Sequence, residues 1–173
     1  MLIYRDIFSN DELCSDSFPM EEVDGVVLEF RGKNVTRKEG DIVLAGANPS
    51  AEEADEGADE NVVSGIDVVL NHNLVEMPVY QSASIFKDWV KEYMKKLVDR
   101  MTADGVEEQK IKDFKTKMQK YVAGLLQKDR FKELQFFQGD GDSAADGQLA
   151  IVEYRNDVPI VMFIKQGLAE EKC

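Results

Sequence analysis

Apolar residues along this chain change their period twice. Over the first forty-odd residues they come in short runs, YRDIF and GVVLEFRG, rich in β-branched and aromatic residues. The stretches SNDEL, EEVDG and RGKN bound them, which predicts strands separated by turns. DIVLAG is a further short run closed by Gly46, and Ile66, Val68, Val69 and Leu70 read as a core strand before Pro78 interrupts. From Ile85 the spacing lengthens: Ile85/Phe86, Trp89/Val90, Tyr93/Met94, Leu97/Val98 and Met101 recur every four residues, a wide apolar stripe on a helix with Ser84 as its N-cap. Asp104-Gly105 breaks the run, and Asp104 with Glu107 reads as a capping box for a second helix striped by Ile111, Phe114, Met118, Tyr121/Val122 and Leu125. Two helices with a short link predict an antiparallel hairpin over residues 84–130. The tail returns to strands in LQFFQG, QLAIVEYR and IVMFIKQG, with turns at DGDSAADG and NDVP, a predicted meander.

At 173 residues the chain is long enough for one well-cored domain, residues 1–173. Between the early strands and NVVSGIDVVL lies ANPSAEEADEGADE, with no large apolar residue and acids from Glu52 to Glu60. Nothing there can bury enough surface to offset the entropy of ordering, so residues 47–62 are expected to be a mobile acidic loop. Strands, helical hairpin, then strands again places the chain in the α+β class.

Charge narrows the partners. A net charge of −13 argues against nucleic acid, whose phosphates need a basic face, and against anionic membranes. No apolar run is long enough for stable membrane insertion, and the start lacks a signal-peptide core, so the expected location is the cytoplasm. From Phe86 to Glu133 the balance reverses to a local +4 inside a remainder of −17. Lys91, Lys95, Lys96, Lys112 and Lys115 lie mainly off the apolar stripes and face water or a partner. The two cysteines, Cys14 and Cys173, form no C-x-x-C pair, which removes zinc-ribbon and dithiol redox motifs. Cys173 is a thiol placed to link two otherwise monomeric chains on oxidation. His72 is the one histidine, so no histidine-rich metal cluster can form, and a local hydrogen bond is its expected role.

One stretch mimics a calcium loop. Asp142, Asp146, Gly147 and Glu153 match D-x-A-x-D-G-x5-E. Its flanks are strand-like rather than helical, and Ala144 stands where an oxygen ligand is required. The stretch therefore reads as a β-hairpin turned by Asp146-Gly147.

Several ordered anchors resemble the translationally controlled tumour protein family over the whole chain: IYRDIFSNDE, AGANPSAEE (45–53), GIDVVLNHNL (65–74), FFQG…DGQLAIVEY (136–154) and GLAEEKC. The turn after Gly139 is about a residue longer than usual in the family, and Asp140 stands where a glutamate is common. The resemblance implies a β-tent of small, mainly antiparallel sheets with a projecting helical hairpin, a fold shared with small-GTPase helpers and a methionine sulfoxide reductase. Their zinc-binding C-x-x-C pairs are missing here, so neither that zinc site nor that chemistry is carried over.

The resemblance further implies a non-enzymatic regulator of growth and survival that uses no cofactor and binds calcium weakly. Its implied partners are a Ras-like small GTPase, translation elongation factors and tubulin. Glu12 matches the family's GTPase-contact glutamate, and the basic hairpin matches its microtubule-binding region. The competing expectations are a thiol-based methionine sulfoxide reductase built on Cys14 or Cys173, and a calcium buffer.

Overall fold

The computed structural model describes residues 1–38 and 62–172. Except for Val62, the predicted acidic loop lies outside these residues, as does Cys173. In chain order the strands are β1 (Leu2–Asp6), β2 (Glu12–Ser15), β3 (Met20–Val23), β4 (Val27–Arg31), β5 (Asn34–Lys38) and β6 (Val62–Ile66). The short helix α1 (Asp67–Asn71) and β7 (Val75–Glu76) precede α2 (Ala83–Ala103), α3 (Glu108–Leu125) and α4 (Lys128–Phe131). Strands β8 (Gln135–Gln138), β9 (Ala150–Arg155), β10 (Val158–Ile164) and β11 (Leu168–Lys172) complete the order.

All strand pairs are antiparallel. They form a six-stranded sheet β3-β4-β10-β9-β8-β7, a three-stranded sheet β11-β1-β2 and the pair β5-β6. The α+β reading holds, and the expected tail meander is the β8-β9-β10 run. The strand β11 was not legible in GLAEEKC, where it is half polar and exposed. It exists because it pairs along all of β1, from Leu2 opposite Lys172 to Asp6 opposite Leu168.

The six-stranded sheet is covered on both faces, which explains why VPIVMFI reads as an unbroken apolar run. Ile160, Met162 and Ile164 join Phe86, Tyr93, Leu97, Phe114, Met118 and Leu125 in one core against the helices. Val161 and Phe163 point the other way, with Leu28, Phe30, Val152 and Phe137, into a second core shared with Tyr4, Leu13, Cys14 and Val68. The two-residue period thus divides each central strand between two cores.

Several local expectations change. Ser82, not Ser84, precedes α2, and its side chain makes no capping bond. The capping box does not form: Asp104 ends α2 and pairs with Arg100 at 3.3 Å, while Glu107 precedes α3 without a side-chain cap. Gly105, at φ +83°, makes the turn between the helices. Val68 and Val69 lie on α1 rather than on a strand, because Asp67 turns the chain by accepting bonds from the Val68 and Lys33 amides at 2.8 and 3.0 Å. Asp146-Gly147 is not a hairpin turn. Ala144–Asp146 forms a 3-10 turn, and Gly147 keeps an extended backbone at φ −92°. Hairpin turns with two left-handed residues lie instead at Asn156-Asp157, between β9 and β10, and at Asp24-Gly25, between β3 and β4.

Candidate functional site

Glu12 was read within a turn, and the structure places it at the start of β2. Asp6 builds that turn. Its buried carboxylate accepts the Phe8 and Ser9 amides at 2.8 and 3.1 Å, and its amide donates to the Asp11 carbonyl at 2.9 Å. Asn10 takes the left-handed conformation at φ 64°. A register shift between Tyr4 and Arg5 then sets Arg5 opposite Glu12. Because β2 pairs only with β1 among the described residues, Glu12 is on an edge strand there, and its side chain is 40% exposed.

Two nitrogen-bearing side chains of different kinds face this carboxylate. Arg5 Nη2 is 4.0 Å from Glu12 Oε1, but Arg5 makes its shorter contact with Glu171 on β11, at 2.6 Å through Nε. A further bond from Arg5 Nη1 reaches the Asn10 carbonyl at 3.2 Å. On the other side, His72 Nδ1 is 3.3 Å from Glu12 Oε2. His72 closes α1 by donating its backbone N–H to the Val68 carbonyl at 3.2 Å, and its ring edge meets Phe18 with centroids 6.2 Å apart. The imidazole is only 7% exposed. Burial lowers its pKa below the ordinary histidine value, and the Glu12 charge opposes that shift. The Nδ1 approach is close but makes no well-directed hydrogen bond, and it becomes an ion pair only when the imidazole takes up a proton.

The five predicted lysines occupy the helices. Lys91 and Lys95 are exposed one turn apart on α2, and Lys112 and Lys115 are exposed neighbours on α3. Lys112 also pairs with Glu108 at 3.6 Å. Lys96 is committed inward: its ammonium lies 4.3 Å from the centre of the Phe8 ring and donates to the Asp146 carbonyl. Glu12 and the four exposed lysines therefore belong to different elements, the small sheet and the helical pair.

A second charged cluster was not anticipated. Glu29 on β4 and Glu153 on β9 flank β10, both pointing at the helices and both buried. Arg155 bonds Glu29 through both terminal nitrogens at 2.8 Å and Glu153 through Nε at 2.8 Å. Arg130 of α4 bonds Glu153 at 2.5 and 3.0 Å, and Tyr121 of α3 donates to Glu29 at 2.8 Å. Burial alone would raise both carboxyl pKa values, but these bonds outweigh it and hold both below the usual range. The signal was present in GVVLEFRG and LAIVEYR, where one acid interrupts an otherwise apolar strand. Glu153, the last position of the calcium-like pattern, is spent in this cluster. Among the described residues no group of three His, Cys, Asp or Glu side chains converges to hold a metal ion.

Cys14 is fully buried, and burial pushes its thiol up to about 12. A hydrogen bond with the Ser15 backbone works in the opposite direction. Such a thiol is almost entirely protonated at neutral pH and is a poor nucleophile. No helix among the described residues is long and apolar enough to cross a membrane.

These features define an α+β protein of small antiparallel sheets and a helical pair, with charged groups on a sheet edge and on the helices. The chain belongs to the translationally controlled tumour protein family, whose model matches residues 1–169. It is 65% identical to the translationally-controlled tumor protein homolog of Trichinella pseudospiralis over the full length of both chains. A solution structure of the Caenorhabditis elegans protein superposes with a TM-score of 0.75 at 54% identity, covering 100% of this chain and 99% of that one. The structure of p23fyp from Schizosaccharomyces pombe gives 0.76 at 32% identity over all of both chains. Members of this family are regulatory proteins rather than enzymes.

Proposed function

We propose that this protein is a cytoplasmic, non-enzymatic interaction protein that supports growth and survival by contacting a Ras-like small GTPase through Glu12. The observation that carries this reading is the placement of Glu12 in a family member: an accessible carboxylate on an edge strand, held from below by His72 and from the side by Arg5. A carboxylate so offered can compete for the magnesium ion or the phosphate-site lysine of a GTPase and loosen its nucleotide. The helical pair offers a different contact. Lys91, Lys95, Lys112 and Lys115 suit the acidic surface of tubulin, with attraction that falls as salt rises. Translation elongation factors and weak calcium binding complete the reading, the latter through acidic loops without a preformed cage. The protonated, buried thiol of Cys14 weighs against a thiol-based reductase.

The test is quantitative affinity capture from a cytosolic lysate, comparing wild type with Glu12→Ala, each in GDP plus magnesium and in EDTA. Enrichment of a small GTPase in EDTA, lost in Glu12→Ala, is the expected result. Capture of tubulin or elongation factors equally by both proteins, with no GTPase in either, would remove the role of Glu12 and move the function to the helical pair.

A further inference from the structure

Of the two nitrogen-bearing side chains that face Glu12, the nearer is not the arginine opposite it in the ladder but an imidazole from a segment sixty residues away. Arg5 is 4.0 Å from Glu12 and 2.6 Å from Glu171, so much of its charge is already spent on β11. His72 is 3.3 Å away and nearly buried, between the Phe18 ring, the end of α1 and the Glu12 carboxylate. Among the described residues, the ion pairs at this site join Glu12, His72, Arg5 and Glu171. Glu12 faces His72 from β2, Arg5 stands behind Glu12 on β1, and Glu171 of β11 holds Arg5. Phe18 and the Val68 carbonyl, the other named neighbours, do not titrate.

We propose that His72 is a positioning residue for Glu12, and that the proton on its ring sets how strongly the carboxylate is available to a partner. This rests on the reading of Glu12 as the docking carboxylate. With a neutral ring, Glu12 keeps its exposure, and a cationic group on the partner meets only the longer Arg5 contact at 4.0 Å as an internal rival. With a protonated ring, the same carboxylate closes an ion pair at its inner oxygen. A partner's ammonium or magnesium must then compete with a cation that is already in place and poorly reached by solvent. Acidification therefore weakens the contact by charging the residue beneath Glu12, with no change required in Glu12 itself. Burial of the imidazole keeps the neutral form dominant at ordinary cytoplasmic pH, so binding is the resting state and the ion pair forms when pH falls.

Two measurements test this, and they fail separately. The first is an NMR titration of the His72 ring in wild type and Glu12→Gln, which needs no partner. His72 should titrate at lower pH in Glu12→Gln, because the attraction that favours the imidazolium is gone. An unchanged titration would overturn the proposal, since the pair would not be coupled. The second is binding of a nucleotide-free Ras-like GTPase between pH 7.5 and 5.5 to wild type and His72→Gln, with thermal melts confirming that both are folded over that range. Wild-type affinity should fall on acidification about two- to fivefold more than that of His72→Gln, as expected for one partly exposed ion pair. Equal slopes in the two proteins would overturn the proposal even if the GTPase binds well. A GTPase that binds at no pH would sink the function proposed above and the regulatory role with it, while the NMR titration still decides whether the pair is coupled.

Discussion

Arg155 of β9 and Glu29 of β4 meet end-on across the intervening strand β10, with each terminal guanidinium nitrogen 2.8 Å from its own carboxylate oxygen. The pair is buried on the glutamate side, and Tyr121 of α3 donates to the same carboxylate. It therefore links the six-stranded sheet to the helical pair through Glu29, and a second link runs from Arg155 through Glu153 to Arg130.

Replacing Arg155 by Met should leave Glu29 facing an apolar surface with only Tyr121 as donor. The expected loss is about 2–4 kcal/mol of unfolding free energy, below the full cost of breaking a buried pair because the arginine itself is partly exposed. Urea denaturation reads this directly. The double variant Arg155→Met/Glu29→Gln should recover part of the loss, since it removes the Glu29 charge while Glu153 keeps Arg130. A double variant no more stable than Arg155→Met would show that the arginine acts through packing alone.

The same cluster sets a response to acid. Glu29 and Glu153 have folded pKa values below their ordinary ones, so their contribution is fully present above the unfolded value of about 4.3. It is lost as pH falls through the lower folded values, where the unfolded chain takes up protons first. The urea midpoint should drop between pH 5 and pH 3, and drop less in Glu29→Gln/Glu153→Gln. Parallel pH profiles for the two proteins would assign the acid response to other carboxylates.

How far could this fold be read from its letters? The helical pair and the central strands were legible because each carries a period set by what it buries, such as Phe86, Tyr93 and Leu97 on one helix or Val161 and Phe163 on one strand face. Short elements fixed by a single distant contact were not. Val68 and Val69 look like strand residues, and only the Asp67 bond to the Lys33 amide makes them helical. Glu12 was identifiable as a residue, yet its partner was not, because no local pattern connects it to His72. The Glu29 and Glu153 cluster left a trace as single acids in apolar runs, but the identity of the arginines required the register of β4, β10 and β9.

Cys14 gives a chemical check on burial. With its thiol pushed up to about 12, its thiolate fraction at pH 8 is roughly a thousandfold below that of an ordinary cysteine. In a Cys173→Ser background, a disulfide reagent should modify Cys14 only at the rate of unfolding, and rapidly in urea. Fast labelling of the folded protein would mean that the core beside Tyr4 and Phe30 opens readily.

Gly147 tests close approach rather than backbone freedom. A Cβ there would stand 2.5 Å from Asp6 Oδ2 and 2.8 Å from Ser9 Oγ, against the carboxylate that organises the turn before Glu12. The Gln148 amide donates to the same oxygen at 2.6 Å. Gly147→Ala should cost about 1–3 kcal/mol. Gly124→Ala, where the nearest atom is the flexible end of Arg130 at 3.3 Å, should be neutral or stabilising by up to about 1 kcal/mol from helix propensity. Equal effects at both sites in denaturation melts would refute the steric account.

The ladder that carries Glu12 has an implication for biosynthesis. Strand β2 rests on β1 alone, and the other neighbour of β1 is β11, which ends at residue 172. A ribosome delivers β1 and β2 first, yet β1 gains its second neighbour only after residue 172 has left the exit tunnel. Until then Glu12 is part of an unfinished two-stranded ribbon, which is marginal in water by itself. A nascent chain would thus carry Glu12 long before β11 emerges to complete the sheet that holds it in order.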